Sequence, residues 1–348
     1  MENINQGADM LRYFDFSSQQ SRLYINSQQT YGAWVAAKRD VEQYRGWLTW
    51  KKVNGSEYLI KIINDKGSQK SLGPRSPETE VIFDKFKAGK ERSQSRLMSL
   101  NGIIHEQAQL NKAVKIGHMP AGTAKILRAM DERGVLGRNM VVVGTNAIYA
   151  YEALAGVMFP DELMETTDVD FLWDSRSKLT MSVWDASKPK IIEIIKSVDP
   201  TFVRQPNGYS AMSDKGFLVE IIKPEKKAPW LDFSTVISEG DFTPSPIKAL
   251  NWLVNAPKIE AAGIDEKGFP FPIVAPDPRA FVIYKFWMGR ECPDRAAIKR
   301  KRDIEQAEAV AQVIIDKLPT FPFSKEVFKM FPRKIVETNM PLGGSVSV

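Results

Sequence analysis

Residues 166–174 read TTDVDFLWD, a strand-like apolar run that begins with two aspartates one residue apart. Side chains at positions i and i+2 of a strand point to the same face, so Asp168 and Asp170 converge while Val169 and Phe171 point into a core. Two like charges at this distance are unfavourable unless a cation neutralises them. Mg²⁺ prefers oxygen ligands and is typically held by carboxylates together with substrate phosphates. The pattern therefore predicts a divalent cation site on a strand.

A third carboxylate lies in a later apolar run, GFLVEIIKP at residues 216–224. Glu220 stands there between Val219 and Ile221, and a lone carboxylate in an apolar strand is costly without a partner. If this strand lies beside the strand that carries the two aspartates, Glu220 completes a three-acid metal site. A pairing of Glu220 with a lysine or arginine, or a place on an exposed strand face, would explain the residue equally well.

The segment upstream of the aspartates has the features of a phosphate-binding turn. The apolar strand NMVVVG (139–144) is followed by the helical pattern AIYAYEALAG (147–156). Gly144 lets the backbone approach a ligand closely, Thr145 offers a hydroxyl donor, and Asn146 is a favourable N-cap. Free N–H groups and the positive dipole end at a helix start suit a phosphate. A glycine at such a turn is common, so its place before the paired aspartates is what favours phosphate binding.

Three stretches, VVVGTNAIYAYEALAG, TTDVDFLWD and GFLVEIIKP, together resemble the core of the nucleotidyltransferase superfamily, the DNA-polymerase-β-like fold. The shared pattern is a hydrophobic strand, a glycine turn, a helix, two alternating acids on a strand and a third acid on a later strand. SLGPRSPETE, VVGTNAIYAYE and TTDVDFL further resemble the bacterial "nucleotidyltransferase fold protein" family, over roughly residues 40–310. The resemblance implies an α+β fold with an α/β core, in which helices flank a mixed β-sheet.

The resemblance also implies roles for particular residues. Three residues of the turn would bind the nucleotide, namely Gly144, Thr145 and Asn146. Three acids would be both the catalytic residues and the metal ligands, namely Asp168, Asp170 and Glu220. The ion would be Mg²⁺ or Mn²⁺, with two ions when an NTP is bound, and Glu220 would help to activate the attacking hydroxyl. The chain departs from the usual pattern at Thr145, which replaces Gly or Ser, at Glu220, which replaces Asp, and at residues 157–166, an insertion or a flap.

Basic residues near the C-terminus are further candidates for nucleotide binding. Lys285 lies in FVIYKFWMGR, and a lysine in this position of related helical domains contacts the triphosphate. KRKRDIEQA resembles an Arg-Asp helix motif that braces such a lysine, which singles out Lys299, Arg302 and Asp303. Two other interpretations remain: this helix has a solvated basic face, and Lys285 extends its ammonium from the core to water.

Composition limits the chemistry that is available. The chain has 348 residues, a net charge of +6, one cysteine and two histidines. A single cysteine, Cys292, permits no intrachain disulfide and suggests a reducing compartment. The scarcity of cysteine and histidine disfavours common zinc sites and Ser-His-Asp catalysis. No run of about 18 apolar residues occurs, so we expect a soluble cytoplasmic protein that does not enter membranes.

The N-terminal third is basic and contains strong turn signals. The runs TWKKV and EYLIKII, joined by NGS, predict a β-hairpin within a small sheet at residues 46–72. Ser76 as N-cap and Pro77 at the first helical position predict a long helix that ends near Gly117. Residues 38–96 carry 14 Lys and Arg against 8 Asp and Glu. This surface either faces nucleic acid or is an ordinary solvated one.

Three aromatic residues of the hairpin have two possible roles. Trp47, Trp50 and Tyr58 could stack on bases, or they could form cross-strand pairs and core contacts, which is the more common role.

The order of predicted elements divides the chain into three parts. Residues 1–117 contain a helix, the β-hairpin and the long basic helix. Residues 118–240 form the nucleotidyltransferase core, in which helices and strands alternate before two final strands. Residues 241–348 form a mainly helical region that opens with proline-rich segments.

Three functions are compatible with these features. The first is metal-dependent transfer of an NMP from an NTP such as ATP to a hydroxyl acceptor, for which the basic N-terminal segment favours RNA, tRNA-like, over a protein or small molecule. Some members of the wider superfamily are toxins or defence factors, so that role is implied by analogy. The second is a non-catalytic nucleic-acid-binding protein on the same scaffold, which intact acids disfavour. The third is an antitoxin or partner-binding module, which would expose a large apolar patch.

Overall fold

The computed structural model describes residues 12–63, 68–174, 190–225, 237–293, 295–324 and 328–340. The chain forms two compact units. The core unit comprises Met1–Ser21, Gly117–Glu266 and Phe271–Val348, and the N-terminal unit comprises Arg22–Ile116 and Lys267–Pro270. The predicted domain boundaries at residues 117 and 240 stay predictions.

The first elements of the chain are β1 (Phe14–Asp15), α1 (Ser18–Gln43), β2 (Trp47–Val53), β3 (Ser56–Ile62), β4 (Gln69–Pro74) and α2 (Pro77–Ala113). They are followed by α3 (Ala121–Glu132), β5 (Met140–Val143), α4 (Ile148–Ala155), β6 (Val157–Met158), α5 (Asp161–Met164), β7 (Asp168–Trp173), α6 (Ile191–Val198), β8 (Val203–Arg204), β9 (Ser210–Met212) and β10 (Leu218–Pro224). The last elements are β11 (Ser245–Ile247), α7 (Leu250–Asn255), β12 (Lys258–Ile264), β13 (Pro270–Pro276), α8 (Pro278–Arg290), α9 (Ala297–Lys317) and α10 (Arg333–Asn339).

The N-terminal unit contains the small sheet and the long helix that the sequence predicts. The sheet is antiparallel in the order β2-β3-β4. Asn54 and Gly55 both have positive φ, as the tight turn between β2 and β3 requires. The side chain of Ser76 accepts a hydrogen bond from the N–H of Thr79 and caps α2, which ends at Ala113. The second predicted turn, at residues 64–67, lies outside the described residues.

The core unit is built on a six-stranded mixed sheet in the order β5-β7-β10-β9-β8, with β11 beside β10. β5 is antiparallel to β7, and β7 is parallel to β10. Val169, Phe171, Val219 and Ile221 are fully buried, so the alternate side chains of the two central strands face a hydrophobic core. The α+β class is therefore confirmed, and the strand of Glu220 does lie beside the strand of the two aspartates.

The C-terminal region contains an antiparallel hairpin that the sequence analysis missed. β12 and β13 pair with each other in a two-stranded sheet, although the proline-rich segment of β13 was expected to open a mainly helical region. Prolines are tolerated in edge strands because the missing N–H can point away from the partner strand. Pro270, Pro272 and Pro276 are spaced by even numbers of residues, so all three point their nitrogens to the same side of β13.

Helices otherwise dominate this C-terminal region, and α9 packs along α8. Within the described ranges, no helix combines the length and apolar character needed to cross a membrane.

A buried ion pair connects the segment before α3 to helix α4. His118 Nε2 lies 2.9 Å from Glu152 Oε1, and His118 Nδ1 lies 3.1 Å from Asp161 Oδ1. The backbone N–H of Phe159 also donates to Glu152 Oε1 at 2.6 Å. Burial lowers the pKa of His118, but the hydrogen bonds and charges of Glu152 and Asp161 outweigh it and raise the pKa to about 9. Protonated His118 therefore neutralises a buried carboxylate.

This ion pair predicts a loss of stability at alkaline pH. Because the pKa of folded His118 lies above its ordinary value of 6.5, the pair stabilises fully below pH 6.5, and its contribution is lost as the pH rises through about 9. His118→Gln should lower the free energy of unfolding by about 3 kcal/mol at pH 6 and by much less at pH 10. Thermal melts at both pH values measure this, with His105→Gln as the control. Equal losses at pH 6 and pH 10 would contradict it.

Candidate active site

Strand register brings the three predicted acids together. In the parallel pair β7 and β10, Asp170 lies opposite Glu220 and Asp168 lies opposite Leu218. Asp168 follows the same alternation as Asp170, so the three carboxylates stand on one face of the sheet. All three line a cavity of about 500 Å³, within the size range of small-molecule sites.

The three carboxylates repel one another in a partly buried place. Burial and the charges of Asp168 and Glu220 raise the pKa of Asp170 to about 7. Burial and the charge of Asp168 also raise the pKa of Glu220, while a hydrogen bond from Asp170 and the charge of Lys299 lower it. The arrangement thus favours a proton on Asp170 that is donated to Glu220. Without a cation, a proton relieves part of the repulsion.

A glycine turn closes against Asp170. Gly144 has φ +67° and ψ −153°, a conformation that is essentially restricted to glycine. A Cβ on this residue would lie 2.7 Å from Asp170 Oδ2. The turn continues as a short 3₁₀ helix, Thr145–Ala147, and leads into α4. The Asp170 carboxylate therefore lies so close to the backbone of residue 144 that only glycine fits there.

Asn146 does not have its predicted capping role. Ala147 occupies the N-cap position of α4, and the turn before it is a 3₁₀ helix, which shifts the start of the α-helix past Asn146. The buried Asn146 side chain instead donates from Nδ2 to the backbone oxygen of Asp168 at 2.8 Å. It ties the glycine turn to the first residue of β7, and it is not among the residues that line the cavity.

Helices α8 and α9 supply a cationic wall. Lys285 Nζ lies 2.6 Å from Asp303 Oδ1, and Arg295 Nε lies 2.7 Å from Asp303 Oδ2. Burial lowers the pKa of Lys285, and Asp303 opposes this effect. The charge of Lys285 also lowers the pKa of Asp170. Lys285 is buried, so its ammonium pairs with Asp303 and does not extend into bulk water, although the residue also lines the cavity.

Arg302 and Gln306 of α9 hold the glycine turn. Arg302 and Gln306 each donate to Thr145 Oγ1 at 3.2 Å. Arg302 also donates to the backbone oxygen of Glu165, and Gln306 donates to that of Leu163 at 2.7 Å. The two side chains therefore join the turn to the segment that precedes β7.

Two buried polar atoms of this pair are unpaired. Arg302 Nε and Gln306 Oε1 have no hydrogen-bond partner among the described residues. Both residues line the cavity together with Lys299, so a polar ligand could satisfy them.

Gln306 and Arg295 belong to this site but were not predicted from the sequence. Gln306 lies one turn of α9 beyond Arg302 and Asp303, so the i, i+3 and i, i+4 spacing was a usable signal. Arg295 lies before α9, where no periodic pattern indicated its contact with Asp303.

Similarity to known proteins agrees with this geometry. The sequence model of the nucleotidyltransferase family matches residues 121–330 of the chain. The protein belongs to the nucleotidyltransferase family. No curated protein and no solved structure shows a significant similarity to the chain. The resemblance seen in the sequence and the expected transferase activity are confirmed at the level of the family. The roles of individual residues stay predictions.

The acidic face of this nucleotidyltransferase has suitable donor atoms for a divalent cation. Asp168, Asp170 and Glu220 offer only carboxylate oxygens, the donors that Mg²⁺ and Mn²⁺ favour. Among the described residues, no group of three or more acidic, histidine or cysteine side chains is already arranged as a metal site. Thr166 donates to Asp168 Oδ1, and Asp170 shares a hydrogen bond with Glu220. The donor set fits the ion, and these two hydrogen bonds are what an ion would displace.

The close approach at Gly144 predicts a selective loss of function. Gly144→Ala would place a methyl group against Asp170 and should reduce nucleotide transfer at least about 100-fold, because both the turn and the carboxylate must move. Pyrophosphate release measures this. Gly216→Ala is the matched control, because Gly216 also has positive φ but has open space where the Cβ would lie. Equal activity of the two variants would contradict the steric explanation.

The raised pKa of Asp170 predicts that its charge destabilises the metal-free protein. The pKa rises from an ordinary 3.8 to about 7, so the penalty is absent near pH 4 and complete above about pH 7. With EDTA present, Asp170→Asn should raise the free energy of unfolding at pH 8 by on the order of 4 kcal/mol, and by little at pH 4. Urea denaturation measures this, with the exposed Asp214→Asn as control. Destabilisation by Asp170→Asn at pH 8 would refute it.

Proposed function

We propose that this nucleotidyltransferase moves an NMP from an NTP to a hydroxyl group of an RNA acceptor in a reaction that depends on Mg²⁺ or Mn²⁺. The observation that carries the proposal is the convergence of three acids, a glycine turn and a cationic wall on one cavity. An acidic face alone would repel a triphosphate. Acids that hold cations, next to lysine and arginine side chains, would instead attract one.

The three acids have distinct places in the proposed reaction. Asp168, Asp170 and Glu220 would hold two divalent cations. Bound cations would neutralise the triphosphate and stabilise the leaving pyrophosphate. Glu220 is half-buried at the cavity surface and would accept the proton of the attacking hydroxyl. Its raised pKa makes it a stronger base than an exposed glutamate.

The phosphates would bind between the glycine turn and the cationic wall of α8 and α9. Gly144 has no side chain that would hinder a phosphate approaching the backbone of this turn, and Thr145 adds a hydroxyl. Lys285, Lys299 and Arg302 would compensate the phosphate charge. The unpaired Nε of Arg302 provides a donor for a phosphate oxygen without loss of its bonds to Thr145 and Glu165.

RNA is the acceptor class that the charge of the chain favours. The protein carries a net charge of +6, and residues 38–96 alone have 14 basic against 8 acidic side chains. A polyanionic acceptor matches this excess. We place the reaction in the cytoplasm because a single cysteine suits a reducing compartment. A toxin or defence role rests only on the resemblance and would require that the modified RNA be essential to the cell.

A non-catalytic binding protein on the same scaffold is the alternative. A non-catalytic protein of this kind would use the three acids only as structural residues. The raised pKa of Asp170 argues against it, because a neutral asparagine would relieve the repulsion without loss of shape. A scaffold that performed no chemistry would gain stability from that replacement.

The decisive experiment is incubation of the protein with each α-³²P-labelled NTP, Mg²⁺ and total cellular RNA. Label should appear in RNA with the wild type and fall at least about 1,000-fold in Asp168→Ala/Asp170→Ala, because electrostatic stabilisation of the transition state is lost. Omission of Mg²⁺ should abolish it as well.

Two glutamates, one within β10 and one just after it, provide a matched pair of variants. Glu220→Gln should lose activity, whereas Glu225→Gln should keep it, because Glu225 is exposed just beyond β10. Label in protein instead of RNA would correct the acceptor. No label with any NTP, together with no Mg²⁺ binding by calorimetry, would reject the enzyme and favour the binding scaffold.

A further inference from the structure

The charge of the protein is divided unevenly between its two units. The N-terminal unit contains 18 Lys and Arg against 9 Asp and Glu, a net charge of +9. The core unit contains 30 Lys and Arg against 33 Asp and Glu, a net charge of −3. The basic character of the chain therefore belongs entirely to the unit that has no part of the candidate active site.

The sheet of the N-terminal unit has one face against helix α2. The rings of Trp50 and Phe83 are 5.9 Å apart, and Lys61 Nζ lies 5.5 Å from the ring of Phe86. Both phenylalanines belong to α2. Leu59, which pairs with Trp50 across the strands, is fully buried. Trp50 therefore packs against α2 and does not belong to the opposite face of the sheet.

Strand alternation turns other residues to the opposite, outer face. Trp47, Thr49 and Lys51 lie on this face of β2, and directly opposite them on β3 lie Ile62, Ile60 and Tyr58. Ile60 is only 8% exposed, so the middle of this face is buried and its exposed side chains stand towards the two ends. Gln69 and Ser71 continue this face on β4. Among the described strand residues of this face there is no carboxylate, and Glu57, the acid of these strands, points to the other side.

The outer face exposes an aromatic side chain at one end and a basic side chain at the other. Trp47 is 45% exposed, which is unusual for the largest side chain. Lys51 is exposed and makes no ion pair within the part of the chain that the structure describes. Tyr58 is half-buried beside it. About 13 Å separates Trp47 from the Lys51–Tyr58 pair along the strand.

We propose that the outer face of the β2-β3-β4 sheet binds single-stranded RNA, with bases stacked on Trp47 and Tyr58 and phosphates paired with Lys51. Aromatic rings bind any base through its π-face, and lysines bind the backbone. The charge of +9 complements a polyanion. Stacking on an aromatic ring requires no particular base. The claim that this face holds the RNA acceptor rests on the proposed function. The claim that it binds RNA is independent of that function.

Fluorescence anisotropy with a fluorescein-labelled 20-nucleotide oligouridine tests the proposal without catalysis, in EDTA and without NTP. Trp47→Ala should weaken binding about tenfold, and Trp47→Phe should restore it to within about twofold of the wild type because a planar ring remains. Thermal melts establish that both variants are folded.

Variants of two adjacent lysines distinguish binding at this face from general electrostatic attraction. Lys51→Gln and Lys52→Gln each remove one charge, but only Lys51 lies on the outer face. We expect a loss of about fivefold or more for Lys51→Gln and less than twofold for Lys52→Gln. Equal losses, duplex RNA bound as tightly as oligouridine, or displacement of oligouridine by polyglutamate at equal charge would each overturn the proposal.

Failure of this inference and failure of the proposed function give different results. Asp168→Ala/Asp170→Ala should bind oligouridine like the wild type. RNA labelling that is unaffected by Trp47→Ala and Lys51→Gln would overturn this surface and leave the transferase. Oligouridine binding that depends on Trp47 and Lys51, in a protein that labels no RNA, would support the surface and overturn RNA as the substrate.

Discussion

Repulsion among three carboxylates on two adjacent strands is the constraint on which the core unit depends. Parallel pairing of β7 with β10 places Asp170 beside Glu220, and alternation along β7 adds Asp168. Burial increases the repulsion, which appears as a raised pKa of Asp170. A sheet selected for stability alone would not place these residues in register. The proposed divalent cations would supply the positive charge that this arrangement lacks.

Three kinds of contact from the surrounding elements make this arrangement of carboxylates possible. Lys285, fixed by Asp303, contributes a buried positive charge. Gly144 removes the side chain that would collide with Asp170. Asn146, Arg302 and Gln306 hold the turn in place through hydrogen bonds. Because each of these contacts joins a different element to the acidic face, the geometry of the cavity is fixed by the packing of the whole unit.

Local patterns predicted the parts of the site, and distant contacts completed it. The period of two along β7 was enough to place Asp168 and Asp170 on one face, and the glycine turn was recognisable from its position between a strand and a helix. The pairing of β10 with β7 that adds Glu220 was only a condition in the sequence, because no local pattern decides which strands are neighbours. The bond between Gln306 and Thr145 joins residues 161 positions apart, and no local pattern encodes such a contact. Pairing of β12 with β13 was missed because prolines normally argue against a strand. Asn146 was misjudged because a 3₁₀ turn and an α-helix start with similar residues.

The prolines of β13 have a consequence for folding and for solubility. An edge strand with free N–H groups is a template on which another chain can add a strand. Pro270, Pro272 and Pro276 leave Val274 as the residue that keeps an N–H donor on their side of β13, which disfavours extension of the hairpin there by a second molecule. The same prolines that disfavoured a strand in the sequence therefore also disfavour intermolecular strand pairing at this edge.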